Sequence, residues 1–162
     1  MIRLHRLWAL LFFLLPVNVY SIGGGLGAGV QFPLFRVQET VLGTSTITIV
    51  QDVLYVVNGI VAGRTAVSVM LWMGALVFYA AATVLLFRRC PACLLRFTWC
   101  RPGRVLAAGT LLLLGSTMMQ YGPTFASAGG YAVPVGLPLL FYLALLFASE
   151  GEQDCKIAHH AV

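Results

Sequence analysis

TAVSVMLWMGALVFYAAATVLLF, residues 65–87, contains no Asp, Glu, Lys, Arg or His. Crossing the hydrocarbon core of a bilayer takes about 20 predominantly apolar residues. The stretch therefore predicts a transmembrane helix, and the rest of the chain is read outward from it. Two further intervals, residues 7–35 and 105–149, also lack Asp, Glu, Lys and Arg. The second is long enough for two spans, residues 105–121 and 131–149, separated by a turn-rich loop at residues 122–130.

Composition agrees with this reading. Of the 162 residues, 60% are hydrophobic and 9% are charged, against roughly 25% charged in an ordinary soluble domain. A small water-soluble fold buries only about two-thirds of its unfolded surface, and the surplus Leu, Val, Ala and Phe would be left as exposed patches. Sequence alone thus predicts an all-α integral membrane protein of the cell membrane. It has four transmembrane helices, or three if the amino-terminal segment is a cleaved signal, and a small extracytoplasmic segment with a β-hairpin between the first and second.

The amino end supports two readings. Arg3 and Arg6 precede the apolar run Leu7 to Val17, and Asn18-Val19-Tyr20-Ser21 follows with small residues at 19 and 21. These are the parts of a secretory signal over residues 1–22, and equally of an uncleaved first helix. Both orient the chain alike, with residues 88–104 and the tail 150–162 inside and residues 23–64 outside; a retained first segment puts both termini in the cytoplasm. Eight of the ten Lys and Arg residues then lie inside, as the positive-inside rule requires.

In the outer segment, Phe35, Val37 and Val41 alternate with Arg36, Gln38 and Thr40. After Gly43-Thr44-Ser45, Ile47 and Ile49 alternate with Thr46 and Thr48. Period-two alternation around a Gly-containing turn predicts a hairpin at about residues 35–50. Val53, Leu54, Val57, Ile60 and Val61 then recur at helical spacing, which suggests a short helix over residues 52–62 lying on the membrane surface. In the last span, Pro134 and Pro138 free backbone carbonyls that lipid cannot satisfy, and a kinked start packed on neighbouring helices is the simplest outcome.

Chemistry is sparse. The three spans between residues 65 and 149 hold no ionisable Asp, Glu, His, Lys or Arg, and proton relays, ion pumps and voltage sensors depend on such groups inside the membrane. No catalytic residue is assigned. The one suggestive motif is Cys90-Pro91-Ala92-Cys93, with Cys100 nearby, in an arginine-rich loop. A Cys-x-x-Cys turn brings two sulfurs onto one metal ion or into one disulfide. Cys155 and His159 would complete a tetrahedral zinc set if the tail folds back. The motif resembles, in spacing, that of the four-helix membrane thiol oxidoreductases of the disulfide-bond-forming and vitamin K epoxide reductase types. It departs from them because residues 22–64 hold no cysteine.

The glycine cluster Gly23-Gly24-Gly25-Leu26-Gly27-Ala28-Gly29 matches a dinucleotide fingerprint only superficially, since no βαβ unit follows. The net charge of +5 comes largely from Arg88, Arg89, Arg96, Arg101 and Arg104. Beside a span, such a cluster suits anionic lipid headgroups, and nucleic acid is not expected as a partner. The function expected is that of a non-catalytic membrane subunit or assembly partner, bound to the lipid bilayer and to another membrane protein or to further copies of itself. The alternative is a membrane thiol-redox or metal protein using Cys90 and Cys93.

Overall fold

A computed structural model describes residues 12–87 and 102–160, with residues 150–160 described as helical backbone alone. Strands β1 (Asn18–Ile22) and β2 (Gly27–Gln31) flank a 3-10 turn at Gly23–Gly25, and β3 (Phe35–Thr40) and β4 (Gly43–Thr48) follow. Helices α1 (Ile49–Val57), α2 (Gly63–Phe87) and α3 (Pro102–Tyr121) come next, then strands β5 (Ala126–Ser127) and β6 (Gly130–Val133), then helix α4 (Leu137–His160). The six strands form one antiparallel sheet in the order β4-β3-β2-β1-β6-β5.

This overturns the all-α, four-span architecture. The protein is mixed α/β, and among the described residues one helix, α2, is long and apolar enough to cross a membrane; Leu137–Ser149 is a shorter apolar stretch. The multi-pass, signal-led reading fails at identifiable places. Asn18 to Ser21, expected at the end of a signal or first helix, lies in β1 in the interior of the sheet. There Val19 pairs with Val30 on one side and Val133 on the other. The expected loop and span at residues 122–149 give up residues 126–133 to β5 and β6, and the helix starts only at Leu137. Pro138 falls in that helix's first turn, where a missing N–H breaks no intrahelical bond.

Local chemistry accounts for the elements. Residues 35–48 form the β3–β4 hairpin, turning at Val41 and Leu42 rather than at residues 43–45. Thr48 ends β4 and caps α1: its hydroxyl accepts from the Gln51 amide while the Gln51 side chain accepts from the Thr48 N–H, a reciprocal capping box. The helix therefore starts at Ile49, before the apolar spacing alone would place it.

In the helical layer, α3 lies between α2 and α4. Phe12 fills the gap beside it, stacked on Tyr79 at 6.2 Å and edge-on to Phe147 at 5.9 Å. The interhelical contacts are small and hydroxyl-bearing. Ser68 and Ser116 each donate to the other's carbonyl at 2.8 Å. The Tyr79 and Thr110 hydroxyls are bonded at 3.2 Å. Gly103 lets α3 touch α4, since a Cβ there would stand 2.6 Å from the Ala144 carbonyl oxygen and 2.7 Å from the Ala148 Cα.

Two glycine substitutions in α3 should move stability in opposite directions. Gly103→Val forces the helices apart and is expected to cost about 1–3 kcal/mol as overpacking. In Gly115→Ala the new Cβ meets only Leu71 Cδ1, at 3.8 Å, and removing a mid-helix glycine contributes up to about 1 kcal/mol. Thermal unfolding in detergent followed by circular dichroism should show the first variant below wild type and the second at or above it.

Candidate functional site

Among the described residues, buried polar side chains gather where the sheet meets the ends of the helices. The register sets out the floor of this region in rows across three strands. Asn18 of β1 pairs with Gln31 of β2, which pairs with Arg36 of β3; two residues along, Tyr20 pairs with Gly29, which pairs with Gln38. Residues two apart on a strand share a face, so the two rows lie side by side. Gly29 is needed in the second row: the Tyr20 ring lies across it, and a Cβ would come within 2.5 Å of the ring. Reaching over the glycine, the Tyr20 hydroxyl donates to Gln38 Oε1 at 3.3 Å.

The first row is tied to the helices. Asn18 Nδ2 donates to Gln31 Oε1 at 3.2 Å and to Thr117 Oγ1 of α3 at 2.9 Å. Arg36 Nη2 donates to Asp52 Oδ1 of α1 at 2.7 Å, and the Asp52 side chain is 4% exposed. Asn18 Oδ1, Arg36 Nε and Asp52 Oδ2 are buried with no hydrogen-bond partner among the described residues. Burial raises the Asp52 carboxyl above its usual range, and the Arg36 guanidinium only partly offsets this. The Tyr20 hydroxyl is also raised, first by burial, with Arg36 lowering it and Asp52 raising it.

Above the second row is a cavity of about 280 Å³. Tyr20, Ile22, Arg36 and Gln38 form its floor, Thr65, Gln120 and Tyr121 at the helix ends cover it, and Ser127 and Gly129 close one side. The Gln38 oxygen is engaged by Tyr20, whereas the Gln120 oxygen lies 3.5 Å from the Ser68 hydroxyl, whose proton goes to the Ser116 carbonyl. Tyr121 is 7% exposed, and among the described residues its hydroxyl makes no hydrogen bond. The cavity thus presents a guanidinium, two side-chain amides and hydroxyl groups, and none of its lining residues is a carboxylate.

The residues singled out in the sequence lie elsewhere. Cys90 and Cys93, with Arg88, Arg89, Arg96 and Arg101, fall outside the described residues. Cys155 and His159 lie on the last turns of α4, where only the backbone is described; Arg104 is in the first turn of α3. Among the described residues no cluster of three or more His, Cys, Asp or Glu could hold a metal ion. The sequence reading missed Tyr20, Arg36, Gln38, Asp52 and Tyr121. Its one available signal was that Arg36 and Asp52 carry opposite charges in an otherwise nearly uncharged segment. Comparison with protein-family models, curated proteins and solved structures finds no match to this chain.

The ion pair yields a stability prediction. Arg36→Met leaves the Asp52 carboxylate buried without its cation and is expected to cost about 3–5 kcal/mol. Asp52→Asn should cost less, because burial already disfavours the ionised form. A carboxyl raised in the folded state contributes stability that is full below its ordinary value of 3.8 and is lost as pH rises through the folded value. Denaturant titrations from pH 3 upward should show this component of the decline in wild type and its absence in Asp52→Asn.

Proposed function

We propose that the protein is a non-catalytic, membrane-bound interaction protein whose helix α2 faces lipid and whose sheet meets a partner. The observation that carries this reading is the surface of α2, the one described helix long and apolar enough to cross a membrane. Met70, Val77 and Val84 are exposed on it, while Ser68 is buried against Ser116 of α3. Water favours the opposite arrangement. In lipid, by contrast, helices associate through small and hydroxyl-bearing side chains and leave large aliphatic ones outside.

The ends of the helical layer also differ. Thr65 and Tyr121 lie at the sheet, so Phe87 and Pro102 lie at the opposite end, joined by the segment that carries Arg88, Arg89, Arg96 and Arg101. Basic residues are retained on the cytoplasmic side. On this reading α2 crosses the bilayer, the arginines face anionic headgroups inside, and the sheet stands outside. The partner contact is assigned to the hairpin tip, where Leu42 is 96% exposed beside an exposed Val41.

A charge substitution tests the lipid-facing surface. Val77 is 64% exposed, so in water Val77→Asp would change stability by less than about 0.5 kcal/mol. In lipid the charge costs about 2.5–3.5 kcal/mol. The expected result is loss of the variant from the carbonate-resistant membrane fraction while wild type stays in it. Wild type that is soluble and monodisperse without detergent would refute the proposal. For the partner contact, Leu42→Asp should abolish co-purification of partner proteins in mild detergent and leave membrane retention intact.

A further inference from the structure

We propose that the cavity between the sheet and the helix ends is a binding site for a phosphate group, held by Arg36, Gln38, Gln120 and Tyr121. The hydrogen-bonding polarity of the lining favours an anion. Tyr20 donates to the oxygen of Gln38, so that amide presents its nitrogen as a donor, and the Gln120 amide can turn its own nitrogen to the cavity, because the Ser68 hydroxyl 3.5 Å from its oxygen already donates to the Ser116 carbonyl. The Tyr121 hydroxyl is 7% exposed at the level of its residue, lines the cavity and has no hydrogen-bond partner among the described residues. Its oxygen is open to the cavity, so an acceptor bound there could take its proton in a hydrogen bond without displacing a bond within the described residues; Arg36 Nε, buried without a partner among the described residues, is a further donor at this place.

Arg36 supplies the charge. Its Nη2 is held by Asp52, which does not line the cavity, so the guanidinium has its carboxylate to one side and the cavity to another. The donors come from β3, from the end of α3 and, through the Thr65 hydroxyl, from the start of α2. Donors converging from several elements suit a tetrahedral anion with several oxygens better than a planar carboxylate with two. Charge-assisted bonds from guanidinium to phosphate are also among the stronger ones in proteins. The volume of about 280 Å³ and the Ile22 side chain leave room for a substituent on the phosphate.

A phosphate group could reach the site as a phospholipid headgroup or as free phosphate. The site itself does not depend on the membrane reading, whereas a lipid source does, because it requires the start of α2 to lie at the headgroup level. The test uses the full chain, purified in a phosphate-free maltoside detergent, with calorimetric titration in two arms: inorganic phosphate, and water-soluble dihexanoyl phosphatidic acid. Binding in either arm is expected, and the tighter arm identifies the source. Tyr121→Phe removes a hydroxyl that makes no hydrogen bond among the described residues, so it should weaken binding roughly three- to tenfold with an unchanged thermal midpoint. The paired variant Arg36→Gln with Asp52→Asn keeps a neutral hydrogen-bonded pair at that place and should abolish binding. The proposal is overturned if neither probe binds wild type, or if both variants fold and bind as wild type does.

Discussion

The buried amide of Asn18 joins the two layers of the molecule. Its two donated bonds reach Gln31, 13 residues away, and Thr117, 99 residues away. One side chain thus fixes β1 against β2 and both against α3. Each such bond is worth only about 1 kcal/mol net, but an unmade one in this environment leaves a desolvated donor costing about 1–3 kcal/mol. What the amide determines is placement. Thr117 is one helical turn before Tyr121, so holding Thr117 over the first row of the sheet brings Tyr121 over the second. Gln31 pairs with Arg36, so the same contact also places the guanidinium. The cavity follows from where this amide sits.

The glycines then decide what the sheet face can hold. Tyr20 and Gln38 are on strands separated by β2, and they meet only because Gly29 puts no side chain between them. A face of alternating aliphatic residues at these positions would have packed directly on the helix ends and left no space. Glycine is usually a weak strand residue because it packs nothing; at this place the missing side chain makes the cavity. The neighbouring turn uses glycine for its other property, since Gly24 and Gly25 adopt positive φ angles of 73° and 72° between β1 and β2.

The sequence revealed the parts of the fold whose side chains follow hydropathy and concealed those that do not. The charge-free run inside α2 is legible because a long helix with apolar residues on every face leaves no other signal. The alternation in residues 35–48 is legible because the outer strands of the sheet have two differing faces. β1 is not legible: its inward residues are Asn18 and Tyr20 and its outward residue is Val19, which reverses the expected pattern. β2 reads as a flexible glycine cluster for the reason just given. β5 and β6 are short, and β6 owes its place to pairing with β1 across most of the chain. The cavity was illegible because its lining comes from separate elements, none of which carries a motif.

Charge at the site is balanced so that it can respond to an occupant. Arg36 carries one positive charge and faces Asp52 from one side, and both act on the Tyr20 hydroxyl, Arg36 lowering it and Asp52 raising it beside the larger effect of burial. Burial already disfavours the Asp52 anion, and the guanidinium is what keeps that cost from being larger. A second anion beside Arg36 would share the same cation and disfavour the Asp52 anion further, since a nearby like charge favours protonation. Binding of an anion and protonation of Asp52 therefore assist each other, and linkage requires the effect to be reciprocal.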